Sequence, residues 1–285
     1  MAKLKNIKKI ICLIAAICLV FPASAFQLSA KSLNAWDIYA ETAVVYDAGT
    51  GKVLFGKDIN KKMIPASITK ILTGMLTIER VKTTDIVTVN RSALIYGTNM
   101  SLKAGERLSV DSLMYGLMLP SANDAANALA EYISGSQKAF VKLMNQRAAE
   151  IGAKNSYFSN ASGVTSRNGE HYTTAYDMAL ITREAIRYDK FMKYFSAPYA
   201  TIPATNLSSK RSYTNLGYML VPGLWQYDSS VTGEKIGWTR QAAHTMSTVA
   251  KRDGHTLICV VMKTTKDGKF TDTQKLLDYG FSLLD

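Results

Sequence analysis

Strand-type patterns lie at both ends of this chain and helical spacing fills its middle, an arrangement that few folds satisfy. Near the start, Thr42–Tyr46 and Lys52–Phe55 are short β-type runs on either side of Asp47-Ala48-Gly49-Thr50-Gly51, and together they read as a hairpin. Near the end, residues 231–238, 243–250 and 255–263 are three more strand-like runs, with the hairpin signal Asp253-Gly254 between the last two. Pro65-Ala66 opens a helical stretch reaching about Arg80, because proline suits a first turn where its missing N–H has no partner anyway. Short strands and turns fill 85–107. Ser109–Leu119, 122–133, 137–151 and Thr173–Tyr188 read as helices, and Thr273–Leu284 closes the chain as another. The simplest architecture is α+β: one antiparallel sheet made from both chain ends, flanked by helices, with a helical subdomain inserted. The sheet part is expected at about 41–66 and 198–285 and the helical part at about 67–197, with a site in the cleft between them.

The 285 residues suit one large domain, and 47% apolar content supports a sizeable core. The first 25 residues read as an address rather than as structure. Lys3, Lys5, Lys8 and Lys9 form a positive start, Ile10–Val20 is an unbroken apolar run, and Ala23 and Ala25 supply the small residues that cleavage requires. The run is short for a membrane span, so a secretory signal over 1–25 is expected, followed by a single exported domain over 26–285. An uncleaved anchor is the competing reading. Export removes Cys12 and Cys18 and leaves only Cys259, in the apolar run Leu257–Val261, where a buried, inert strand residue is expected. The four leader lysines belong to a net charge of +12, so the remainder carries +8. That charge fits attraction to anionic wall polymers or membrane surfaces. Scattered lysines and export speak against nucleic acid.

Three short motifs carry candidate chemistry. In Ser67-Ile68-Thr69-Lys70, at a helix start, serine and lysine share one face a turn apart. A serine hydroxyl needs a nearby base, and a lysine amine serves if desolvation or a second cation lowers its pKa. In Ser121-Ala122-Asn123, at the join of two predicted helices, a second hydroxyl could relay a proton and an amide could hold both a substrate carbonyl and a lysine. In Lys235-Ile236-Gly237, inside a predicted edge strand, a cation could hold an anionic substrate end or tune Lys70, and glycine permits close backbone approach. Each motif alone is weak. Ser-x-Asn recurs at Ser32-Leu33-Asn34 and Ser166-Arg167-Asn168, and Lys-x-Gly recurs at Lys103-Ala104-Gly105 and Lys266-Asp267-Gly268. Their order and settings together match the Ser-x-x-Lys, Ser-x-Asn, Lys-Thr/Ser-Gly pattern of serine penicillin-recognising enzymes.

At these residues the chain resembles low-molecular-weight penicillin-binding proteins of the D-alanyl-D-alanine carboxypeptidase type. The resemblance runs from about Ala43 to Phe281 and includes Leu117–Ala126 and His171–Met178. It implies a β-lactamase/transpeptidase-like fold and a serine peptidase that trims peptidoglycan stem peptides and reacts with β-lactams. It implies that Ser67 attacks the carbonyl between two D-alanines, that Lys70 takes its proton and that Ser121 relays a proton towards the leaving amine. It further implies that Asn123 orients the substrate, that Lys235 supplies positive charge, and that Gly237, Trp238 and Thr239 line the substrate. The Ser67 and Trp238 N–H groups would form the oxyanion hole. His171 falls in a stretch that is structural in this resemblance. No metal or organic cofactor is implied, and Cys259 has no ligand-like neighbours.

Two departures stand out. Ile236 occupies the place of the usual threonine or serine, whose hydroxyl helps to hold the substrate's terminal carboxylate. No clear arginine replaces it; His244, Thr256 and Arg240 are the candidates nearby. The chain also ends at Asp285, where many relatives continue into a second domain and an amphipathic anchor, so a soluble exported protein is expected. A class A β-lactamase would need a Glu-x-x-Leu-Asn stretch, which is absent: Glu170 precedes His171-Tyr172-Thr173. A DD-endopeptidase acting on crosslinks, or a wall-binding pseudoenzyme with weak turnover, remains as an alternative, and Ile236 favours both.

Overall fold

A computed structural model describes residues 33–165 and 170–284; the expected signal segment and Ser166-Arg167-Asn168 lie outside them. In chain order the elements are β1 (Thr42–Asp47), β2 (Val53–Lys57), α1 (Lys70–Arg80), β3 (Ile86–Thr88), β4 (Arg107–Ser109), α2 (Val110–Met118), α3 (Asn123–Ser134) and α4 (Gln137–Ile151). They continue with α5 (Ala175–Ala185), α6 (Asp189–Phe195), β5 (Tyr199–Ile202), β6 (Arg211–Thr214), β7 (Val231–Thr239), β8 (Ala243–Arg252), β9 (His255–Thr264) and α7 (Gly268–Ser282). The main sheet has the order β2-β1-β9-β8-β7, and every pair in it is antiparallel. Both chain ends therefore build one sheet, as the sequence pattern predicts, and the Lys235 strand β7 is an edge.

Local chemistry accounts for the boundaries. The β8–β9 turn places Asp253 at φ 49° and Gly254 at φ 82°, the left-handed pair that a two-residue hairpin needs. Ser109 caps α2, its hydroxyl accepting from the Ser112 N–H at 3.1 Å, and Thr174 caps α5 in the same way through Asp177 at 3.0 Å. Gly152 ends α4 in the left-handed region. The interior of β8 and β9 is buried on both faces. Alternation sends Val44, Tyr46, Val249, Ile258 and Val260 towards the helical part, and Val45, Met246, Leu257, Cys259 and Val261 towards α7. Cys259 is thus a fully buried strand residue, and burial pushes its thiol up.

Residues 198–230 depart from the predicted sheet region. β5 and β6 pair only with each other, and the short helix α6 before them was not predicted. Their spacing carries little apolar periodicity. The ribbon is held instead by long-range polar contacts, chiefly Arg211 to the fully buried Glu106 at 2.8 Å.

Helix α1 is the axle between the two layers: Ile71, Leu72, Met75 and Leu76 are fully buried. Leu72→Ala should cost about 2–5 kcal/mol through lost burial and the cavity left behind. Chemical denaturation should show it as a lowered midpoint with an unchanged slope.

Candidate active site

Ser67 sits on a 3₁₀ turn, Ala66–Thr69, that runs directly into α1. Ala66 adopts φ 50°, a strained conformation for a residue with a side chain. Three buried side chains hold the turn. Thr245 on β8 donates to the Pro65 carbonyl at 2.8 Å, and Thr69 donates to the Ala66 carbonyl at 2.8 Å. His171 lies 2.9 Å from the Thr69 hydroxyl through Nε2, while its Nδ1 accepts from the Ser159 N–H at 3.1 Å. That pattern puts the proton on Nε2, which donates to Thr69. Burial, with the nearby Lys70 charge, lowers the His171 pKa to about 4, so the ring is neutral. Its geometry is that of a brace for the turn.

Lys70 is fully buried. Its Nζ lies 3.0 Å from Ser67 Oγ, 2.8 Å from Asn123 Oδ1 and 2.6 Å from the Ser162 carbonyl. An ammonium satisfies all three with its three N–H bonds. A neutral amine keeps Asn123 and Ser162, which can only accept, and turns its lone pair to the Ser67 hydroxyl. Burial lowers the Lys70 pKa well below that of a free lysine, and Lys235 adds to the effect, whereas Asp124 opposes it.

Ser121 follows Leu119-Pro120 at φ 62° and is 6% exposed. Its Oγ has no hydrogen-bond partner among the described residues. Asn123 opens α3, its own N–H bonded to the Thr98 carbonyl at 2.8 Å. On β7, Lys235 is buried and donates to the Ile236 carbonyl at 3.0 Å; burial brings its pKa down to about 7 against the opposing pull of Glu234. Gly237 faces the same way: a Cβ there would lie 2.7 Å from the Ser67 backbone nitrogen, so only glycine lets the strand come this close. Trp238 is 61% exposed at the rim, and the Thr239 hydroxyl accepts from Thr165 at 3.1 Å and from the Ala242 N–H at 3.0 Å.

Of the three residues considered for the missing carboxylate grip, His244 lies directly across from Trp238 with rings 6.2 Å apart. Thr256 pairs with Lys251 at the other end of the hairpin and lines a separate cavity with Arg183. It is excluded, because a β-hairpin carries its two ends some 3.3 Å further apart per residue. Arg240 is exposed in the β7–β8 turn. Ile236 points away from Lys235 and packs on the α7-side core.

Sequence reasoning missed the third wall. Asn160 Oδ1 accepts from the Gly163 N–H at 2.7 Å and the Ser162 N–H at 3.2 Å, presenting the Ser162 carbonyl to Lys70. Gly163, at φ 82°, packs so tightly on the Ala66 carbonyl that a Cβ would overlap it. Lys269 was missed as well; it is 5% exposed, and burial lowers its pKa to about 8. The only available signal was the Asn-x-Ser-Gly string, which is common in loops.

Comparison with known proteins gives the family and the fold. The family profile described as D-alanyl-D-alanine carboxypeptidase matches residues 28–266. The chain is 34% identical over 278 residues to D-alanyl-D-alanine carboxypeptidase DacF of Bacillus subtilis, covering 95% of this chain and 69% of that protein. It is 31% identical to DacA of Escherichia coli strain K12, covering 97% of this chain and 70% of that protein. Among solved structures, a D-alanyl-D-alanine carboxypeptidase from Mycobacterium tuberculosis superposes with TM-score 0.80 at 28% identity, over 88% of this chain and 94% of that one. The Streptomyces K15 DD-transpeptidase superposes with TM-score 0.79 at 27% identity, over 86% and 98%.

Gly163→Ala should force the Ala66–Ser67 peptide out of place, with a penalty of about 1–3 kcal/mol typical of overpacking. A thermal melt would report the loss.

Proposed function

The chain belongs to the D-alanyl-D-alanine carboxypeptidase family, and on that premise we propose that it hydrolyses the D-Ala-D-Ala ends of peptidoglycan stem peptides through an acyl-enzyme on Ser67. The observation that carries this reading is the buried Lys70 amine at 3.0 Å from the Ser67 hydroxyl, with Asn123 and Ser162 accepting its other protons. Neutral Lys70 takes the hydroxyl proton as Ser67 Oγ adds to the carbonyl carbon. The oxyanion faces the N–H groups of Ser67 and Trp238, which the glycine at 237 lets approach each other. The C–N bond then breaks, and the departing D-alanine nitrogen takes its proton through Ser121, whose Oγ has no competing partner among the described residues. Water afterwards attacks the ester, Lys70 again removing the proton. Lys235 supplies positive charge to the cleft. A β-lactam follows the same first step: its ring C–N bond breaks, and its nitrogen takes the proton relayed through Ser121 and stays tethered to the acyl group.

The carboxylate end of the substrate is where this chain departs from the pattern. Ile236 offers no hydroxyl, and the His244 pKa is lowered, first by burial and then by the charges of Lys269 and Lys266. This favours a second reading, cleavage of crosslinks, whose substrates do not demand the same grip. Both substrates lie outside the cytoplasm, in keeping with the Lys3–Ala25 pattern, and the basic charge suits an anionic wall. Among the described residues no helix is long and apolar enough to cross a membrane.

Mixing the protein with a fluorescent penicillin should give an intact-mass adduct that disappears in Ser67→Ala. No adduct at saturating penicillin would sink the acyl-enzyme reading. Restoring the hydroxyl with Ile236→Thr should raise kcat/KM on a D-Ala-D-Ala pentapeptide roughly 10- to 150-fold, the equivalent of one hydrogen bond to a charge. If crosslinks are the main substrate, cleavage of a crosslinked dimer should already be efficient and should not respond to that change.

A further inference from the structure

Glu234 is a fully buried carboxyl next to Lys235 that the reaction above does not use. It points to the α7 side of β7, opposite to Lys235. Its two oxygens accept from the backbone N–H groups of Met219 and Leu220, each at 3.2 Å. The chain makes room for it at Gly217, where any Cβ would overlap the carboxyl group. The turn held in this way continues to the opposite wall of the site. The Gly217 N–H donates to Asn215 Oδ1 at 2.9 Å, Asn215 is tied to the Ala197 carbonyl at 3.1 Å, and the Leu216 N–H donates to the Leu119 carbonyl at 3.3 Å. Leu119 precedes Pro120 and the strained Ser121. One carboxyl thus connects the Lys235 strand to the Ser121 segment.

We propose that Glu234 is a positioning residue of the acylation site: its carboxylate, seated in the Gly217 hollow, clamps the 216–220 turn and thereby holds Ser121 in register with Lys235. Both acceptor oxygens are needed. A protonated carboxyl turns one of them into a donor facing an N–H, and the clamp loosens.

The groups around Glu234 define how it titrates. Lys235 on its own strand and Lys269 on α7 favour the ionised form, as do the two backbone N–H groups. Thr248, directly across on β8, brings a buried hydroxyl with no partner among the described residues, and the turn adds Tyr218, stacked on Phe270. Burial outweighs these and raises the carboxyl from an ordinary 4.5 to about 7. The protonated form therefore lends stability that is complete below about 4.5 and is lost as pH rises through about 7. The form that positions Ser121 is the less stable one.

The inference rests on Ser67 being the acylated nucleophile, and the test separates the two ideas. Penicillin acylation rates are measured for wild type and Glu234→Gln from about pH 5.5 to 8.5. Because Glu234 also raises the Lys235 pKa, both rates are measured in a Lys235→Arg background, where the charge at 235 does not titrate in this range, and their ratio then cancels the titration of Lys70. The ratio should climb from near one to about tenfold, the worth of one hydrogen bond to a charge, with its midpoint near 7. Glu234→Gln should also melt higher than wild type at the alkaline end while acylating more slowly, an opposition that a merely structural contact does not produce. If the glutamine variant fails to fold, Glu234→Met takes its place with the same expected ratio. A ratio that is flat with pH, or a variant that matches wild type at pH 8.5, overturns the Glu234 inference alone. Absence of any wild-type adduct overturns it together with the acyl-enzyme reading.

Discussion

Burial of the Lys70 amine against the Ser67 hydroxyl makes the largest demand on this fold. An ammonium taken out of water without partners is penalised by several kcal/mol, and a neutral lysine at ordinary pH is rare. The structure meets both conditions at once. Asn123 and the Ser162 carbonyl accept from the amine whichever form it takes, so its desolvation is offset without fixing its charge. Burial and the neighbouring Lys235 then lower its pKa. Three separate stretches must converge on one nitrogen: the start of α1, the start of α3 and the 160–163 turn. Their packing order follows from that convergence.

The convergence is enforced by steric intimacy around the Ala66–Ser67 peptide. Gly237 approaches its nitrogen from β7, and Gly163 covers its carbonyl from the other side. Thr245 and the Thr69–His171 pair bind the carbonyls of Pro65 and Ala66. A peptide held on all sides is preorganised, and preorganised N–H groups stabilise developing oxyanion charge without reorganising at the moment of reaction. The strained φ of Ala66 is sustained by these contacts rather than by local preference.

The far wall of the cleft uses the same device with charge in place of close packing. Lys235 and Glu234 are consecutive but point to opposite faces of β7, and Glu234 accepts from the Met219 and Leu220 N–H groups of the neighbouring turn. Ile236, between Glu234 and Gly237, turns to the α7 side, and its aliphatic side chain joins that core. An isoleucine at this place in the triplet is thus well accommodated by the fold.

Sequence by itself determined the elements and the inventory of the site. Period-2 and period-3.6 patterning located five sheet strands and most helices, because one side of each must be apolar to be buried. Asp253-Gly254 and Gly152 marked ends because few residues tolerate their left-handed backbone, and Ser109 because its hydroxyl caps the first turn. Ser67, Lys70, Ser121, Asn123 and Lys235 stood out because their chemistry recurs in a fixed order. Tertiary structure alone decided the rest. The Ser162 carbonyl is a backbone group, which every residue has and no sequence pattern marks. Thr256 and His244 looked equivalent until strand register placed them at opposite ends of a hairpin. No sequence motif marks Glu234, and only the fold shows it buried in the hollow of a glycine that lies seventeen residues earlier. Pattern reports which side of an element faces inward, whereas the partner it meets there depends on contacts between residues distant in the chain.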